Sequence, residues 1–167
     1  VDHPARKIPF RMVADSAEMG ELMASDLLNE IKKGNAEERP TRAIVPCGPK
    51  SWYAPFTRMV NEEKISLRKL VVFHMDECLD WQGKLLPKNH PQNFQNYMEK
   101  NFYDPIADEL RTPRENRHWL YPTNISEISD KILGSRIDIT YGGWGQDGHV
   151  AFNQARRNPY SKLSIED

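Results

Sequence analysis

Three short stretches of this 167-residue chain place glycines or paired acids directly behind apolar, β-prone runs. The first is Cys47-Gly48-Pro49-Lys50-Ser51, closing the run Thr41 to Cys47. A glycine turn that leads into a helix presents unpaired backbone N–H groups and a positive dipole end, which suits a phosphate. Lys50 would add charge there and Ser51 a hydroxyl; the same stretch also reads as a plain strand-to-helix turn capped by Ser51. The second is Asp76-Glu77, after the run Lys69 to Met75. A carboxylate at a strand's end in a partly dry cleft can have its pKa raised and act as a base. The bland alternative is that Asp76 or Glu77 caps a loop or pairs with an arginine. His74, Asp76 and Cys78 alternate along the chain but do not make a complete ligand set, so no metal site is expected.

The third stretch, Gly142 to His149, follows the run Arg136 to Tyr141. Gly143 to Gly148 matches the GxGxxG pattern of dinucleotide sites, with Glu166 and Asp167 about twenty residues on. Pro159 and the polar tract around it leave no room for the helix and strand that should precede the acid, and Asp147 would sit inside the pyrophosphate cradle. Acid–base chemistry fits better. Asp147 stands two residues from His149, where a carboxylate can fix the imidazole's tautomer and stabilise its protonated form. Gly143 and Gly145 would let the backbone approach a small ligand. No cofactor is expected.

Something must hold these loops together. Asp15 and Glu18 form a capping box ahead of an apolar stripe through Met19, Leu22, Met23, Leu27, Leu28 and Ile31, with Gly34 as the expected terminator. Helices are further predicted over Ser51–Glu63, from Pro91 through Phe102, and over Ser126–Leu133. A further strand falls near His118–Tyr121. Strands alternating with helices imply one α/β domain over residues 1–167: an open, doubly wound, mostly parallel sheet with helices on both faces. In such sheets ligands collect at the carboxyl ends of the strands, which is where all three stretches fall. Beyond Asn153 the chain turns polar with no helix to cover the last strand, so a chain truncated at its C-terminus is expected.

Composition narrows the classes. A net charge of -1 offers no electrostatic footprint for nucleic acid or an anionic membrane. No stretch is apolar enough to span a bilayer, and the first residues lack a signal-peptide core. The two cysteines have no zinc-ligand spacing and read as free thiols of a cytoplasmic protein.

Phe73-His74-Met75-Asp76-Glu77 resembles the FxMDE(Y) segment of glucosamine-6-phosphate deaminases. The run Gly142 to Asn153 resembles their GGxGxDGHxAFNE segment, and Asn89 to Phe102 their HPxSY…NFF helix. Together these cover most of residues 40 to 153. The 6-phosphogluconolactonases share the fold and GxGxDGH, but carry DER and an ASLFPG-like continuation where this chain has Met75-Asp76-Glu77 and Ala151-Phe152-Asn153. The resemblance implies ring opening of an amino-sugar 6-phosphate, proton transfer from C2 to C1 and loss of ammonia. It implies Asp76 as the base, His149 as the ring-opening group oriented by Asp147, and Gly48 with its loop as the phosphate holder. Lys50, Ser51, Glu77, Gly143, Gly145 and Asn153 complete the expected substrate contacts, and self-association is expected. Three positions depart from the pattern. Gln154 stands where the family has a glutamate that helps the histidine. The TGSTP-like phosphate loop here reads Cys47-Gly48-Pro49-Lys50-Ser51, and Cys78 replaces the tyrosine after MDE. A lactonase and a sugar-phosphate-binding regulator that lost catalysis are the competing readings.

Overall fold

The computed structural model describes Lys7, Pro9 and residues 11–144. Helix α1 (Ser16–Ala36) begins as its sequence signal requires: the Asp15 side chain accepts from the N–H groups of Ala17 and Glu18. Glu18 reaches back to the Ala14 N–H at 2.7 Å. Gly34 does not end the helix. It lies within α1, where an added Cβ would sit 2.3 Å from the Thr41 Oγ1, so its bareness serves close packing on the first strand. The turn comes at Glu37 and Glu38, the latter with a positive φ.

Strand β1 (Thr41–Val45) pairs in parallel with β2 (Leu70–His74) over five residues, Thr41 opposite Leu70 through Val45 opposite His74. Strand β3 (Arg117–His118) adds to β2, and β4 (Ile139–Thr140) adds to the other side of β1. The order is therefore β3-β2-β1-β4, all parallel. The chain winds outward from β1 to β3 and then crosses back to β4, which places the reversal between β1 and β4. That crevice is where an open sheet of this kind collects ligands.

Period-2 burial selects the inner face: Ala43, Val45, Leu70 and Val72 join the core with Ala24, Leu27, Leu28 and Ile31 of α1 and Phe56 and Val60 of helix α2 (Tyr53–Glu63). On the other face Phe73 stacks on His118 at 4.8 Å, within electrostatic reach of Lys131 and Glu127 of α4 (Ile125–Leu133). Gly134 ends α4. Helix α3 (Phe94–Met98) starts later than Pro91 because the Asn93 side chain caps it, accepting from the Asn96 N–H. It continues as a wider π turn over Glu99–Tyr103, with the Asp104 N–H bonded to the Glu99 carbonyl. This turn buries Phe102 against Trp52 and Phe56, and Tyr103 against Phe102. All four rings are fully buried. Each contributes about 1.5–3 kcal/mol by burial alone. No helix of the described residues is long and apolar enough to cross a membrane.

Candidate functional site

The loops that follow β1, β2 and β4 meet. The Cys47 N–H donates to Asp76 Oδ1 at 3.0 Å, joining the loop after β1 to the loop after β2. A Cβ placed on Gly143 would lie 3.5 Å from the Gly48 carbonyl oxygen, so the loop after β4 reaches the same point. Around Gly48 and Gly142 a Cβ would meet nothing within 4 Å, leaving the backbone open.

Asp76 is half-buried. Burial raises its carboxyl above the ordinary range; the Cys47 N–H opposes that and the neighbouring Glu77 charge adds to it. Its second oxygen has no hydrogen-bond partner among the described residues. The arrangement is that of a fixed base: one oxygen held, one available, with a proton affinity above that of a surface aspartate.

Glu77 serves a different end from the substrate contact expected of it. Its Oε1 accepts from the N–H groups of Cys78 and Phe94 at 3.0 and 2.7 Å, and its Oε2 from Gln95 at 2.9 Å. Both oxygens are thus committed to the first turn of α3. Glu77 ties the loop that carries Asp76 to that helix.

The turn after β1 is rigid. The Tyr53 hydroxyl donates to the Cys47 carbonyl at 2.6 Å. Gly20 of α1 lies so close to the turn that an added Cβ would fall 2.4 Å from the Ser51 carbonyl oxygen. The Gly48–Pro49 peptide is cis. Helix α2 has no side-chain cap: Trp52 occupies that place and offers none. Ser51 therefore does not act as the expected cap, and its Oγ is buried without a partner. Lys50 extends over the Tyr97 ring, its Nζ 3.6 Å from the centroid. Burial pushes the Cys47 thiol up to about 11, which keeps it protonated and chemically quiet.

His74 faces away from this cluster. Its Nε2 pairs with the Tyr103 hydroxyl at 3.0 Å and its ring stacks on Trp119 at 3.5 Å. It shares no ligand geometry with Asp76, and among the described residues no three His, Cys, Asp or Glu side chains gather as a metal would require. Asp147, His149, Gln154, Gly145 and Asn153 lie outside the described residues.

No protein-family model matches the chain. Curated relatives do. Glucosamine-6-phosphate deaminases of Yersinia pseudotuberculosis serotype O:1b (strain IP 31758) and Yersinia pestis bv. Antiqua (strain Angola) are each 31% identical over 172 residues, covering 96% of this chain. Over nearly its whole length the chain is thus similar to glucosamine-6-phosphate deaminases. It spans about 60% of the length of those relatives. Among solved structures, a monomeric glucosamine-6-phosphate deaminase matches with a TM-score of 0.69 at 18% identity, over 85% of this chain and 57% of that one. A 6-phosphogluconolactonase from Thermotoga maritima matches with 0.63 at 17%, over 86% and 62%. These structural likenesses establish the shared α/β fold.

Three positioning residues, Tyr53, Asn93 and Tyr97, escaped the sequence reading as site elements. Tyr97 fell only inside the helix predicted from Pro91 through Phe102. The Asn93-x-x-Asn96 cap could have been found from its spacing, since asparagine is a favoured helix N-cap.

Proposed function

We propose that the intact protein converts an amino-sugar 6-phosphate, in the first instance glucosamine 6-phosphate, to a ketose 6-phosphate and ammonia. The observation that carries this is the Asp76 carboxylate, held by one oxygen at the junction of three strand ends and raised in pKa by burial. Ring opening moves the anomeric hydroxyl proton to the ring oxygen; His149, oriented by Asp147, handles that exchange near neutral pH. Asp76 then removes the C2 proton, and the electron pair forms a C1–C2 enol-amine. The same carboxyl returns a proton to C1, leaving a C2 imine that water hydrolyses to the ketone and ammonia. One base on one face serves both carbons.

The Gly48 turn and the uncapped start of α2 provide backbone donors for the phosphate, with Gly143 opposite. Gly145 and Asn153 complete the substrate contacts in this reading. Gln154, an amide, can hold geometry but cannot relay a proton.

The lactonase-like structural neighbour supports a second reading, hydrolysis of a sugar-phosphate lactone, in which the Gly-loop histidine works without a shuttle at Asp76. Ammonia release from glucosamine 6-phosphate, assayed beside hydrolysis of a 6-phospho-lactone, separates the two. Release that Asp76→Asn abolishes supports the deaminase; lactone hydrolysis that survives Asp76→Asn, with no ammonia, replaces it. Tight sugar-phosphate binding with neither product, unchanged in Gln154→Glu, would make the protein a sensor.

A further inference from the structure

Lys50 is the one cation among the described residues of the three strand-end loops, 46–51, 75–78 and 141–144. The side chain is exposed, and its Nζ rests 3.6 Å from the centroid of Tyr97. The face of an aromatic ring attracts an ammonium without neutralising it or filling its hydrogen-bonding directions, so a cation parked there remains able to bind an anion.

The parking place is itself anchored at both ends of the site. Tyr97 packs against Tyr53 at 6.2 Å, and the Tyr53 hydroxyl holds the Cys47 carbonyl in the turn that carries Lys50. The helix bearing Tyr97 is fixed at its start by Glu77, next in sequence to Asp76. The position of the ammonium is thereby set relative to both the turn and the carboxylate. A free lysine loses rotamer entropy on binding, and an ammonium positioned in advance surrenders less of it.

We propose that Lys50, docked on Tyr97, is the specificity-determining charge of this site and selects sugars bearing a phosphate monoester. The inference rests on the reading that the Gly48 turn holds the sugar's phosphate. It adds that selectivity for the phosphate comes from a side chain whose placement depends on an aromatic ring in another element. Ser51, with its buried and unpartnered hydroxyl, does not supply that charge.

The test is equilibrium titration of the intact protein with glucitol 6-phosphate, an unreactive open-chain analogue, and with glucitol, in low and high salt. The wild type binds the phosphate and not the parent alcohol. Lys50→Met weakens glucitol 6-phosphate about tenfold or more and flattens the salt dependence. Tyr97→Phe, which keeps the ring face, binds as the wild type does, and Tyr97→Leu loses severalfold. In turnover, Lys50→Met raises KM with little change in kcat. Because Lys50 is exposed, its variant folds even where a Tyr97 variant does not. Unchanged affinity in Lys50→Met overturns the inference, and wild-type affinity in a folded Tyr97→Leu removes the tether from it. A wild type that binds glucitol 6-phosphate no better than glucitol overturns the phosphate reading itself.

Discussion

Asp76 and His74 lie two residues apart at the end of β2, and burial moves both of their proton affinities, yet they belong to different regions of the molecule. His74 is wholly inside the aromatic layer. Its ring is sandwiched with Trp119 and bonded to Tyr103, whose ring in turn lies 4.0 Å under the Arg117 guanidinium. Burial, and then the charges of Arg117 and His118, lower the His74 pKa well below its ordinary value, so it stays neutral. Asp76 lies one layer higher, with one oxygen on a backbone amide and the other without a partner among the described residues. A titratable group shifted by burial is a candidate for chemistry only where ligand can reach it. Below that level the same shift marks a part of the scaffold.

Five substitutions and one pH titration probe this division. The largest effect is expected from Asp76→Asn, which removes the proposed base: ammonia release falls by about 10²–10⁴-fold. Because burial raises the Asp76 pKa, ionised Asp76 is a burden on the fold at neutral pH, so the same variant unfolds in urea no earlier than the wild type. Earlier unfolding would turn Asp76 into a structural residue.

Next in size is Arg117→Met in the layer below. Arg117 is nearly inaccessible, donates twice to the Thr112 carbonyl and pairs with Glu99 at 2.7 Å. Removing one member of a buried pair leaves the other uncompensated, a loss of about 3 kcal/mol in urea unfolding, with kcat of the folded fraction little altered. A variant with full stability and no activity would reverse the roles assigned to the two layers.

Glu77→Gln should fall between the regions. An amide oxygen can accept only part of what the carboxylate does, so the start of α3 loosens by about 1 kcal/mol. KM should rise with it, through Tyr97 and Lys50. A change in kcat alone would place Glu77 on the reacting atoms instead.

The fourth effect is a pH dependence. In the unfolded chain His74 and His118 titrate near 6.5, while burial lowers both in the fold. Protons therefore bind the unfolded state preferentially as pH falls through that range, so stability present at pH 7 declines toward pH 5. His74→Gln, which keeps a partner for the Tyr103 hydroxyl, reduces that slope; an unchanged slope would assign the dependence to other groups. The smallest effect is at Trp81, 91% exposed at the tip of a turn held by the Asp80 side chain. Trp81→Ser changes stability by no more than about 0.5 kcal/mol in the same unfolding assay.

Much of the upper region was legible in sequence because its signals are local. Apolar five-residue runs, a glycine turn and adjacent acids each speak within a few positions, and the rule for open sheets then brings their ends together. The lower region was not legible, because long-range packing decides it. Nothing around Arg117 announces that it will be buried against Tyr103 and Glu99, and His74 in a strand looks the same as a ligand until the sheet is closed. Gly34 misled for the same reason: a glycine near a helix end signals a terminator locally, while Thr41 on β1 demanded a bare surface. Glu77 looked like substrate chemistry because the helix start it caps lies 17 residues away.

In the proposed reaction Asp76 moves one proton between adjacent carbons of a sugar phosphate. The most direct test uses glucosamine 6-phosphate deuterated at C2, with the product examined by NMR. Deuterium is expected in part at C1 of the ketose phosphate from the wild type, with no ketose formed by Asp76→Asn. Ketose formed with C1 deuterium undiminished in Asp76→Asn, or turnover to a product that is not a ketose and keeps the C2 label, would refute this role.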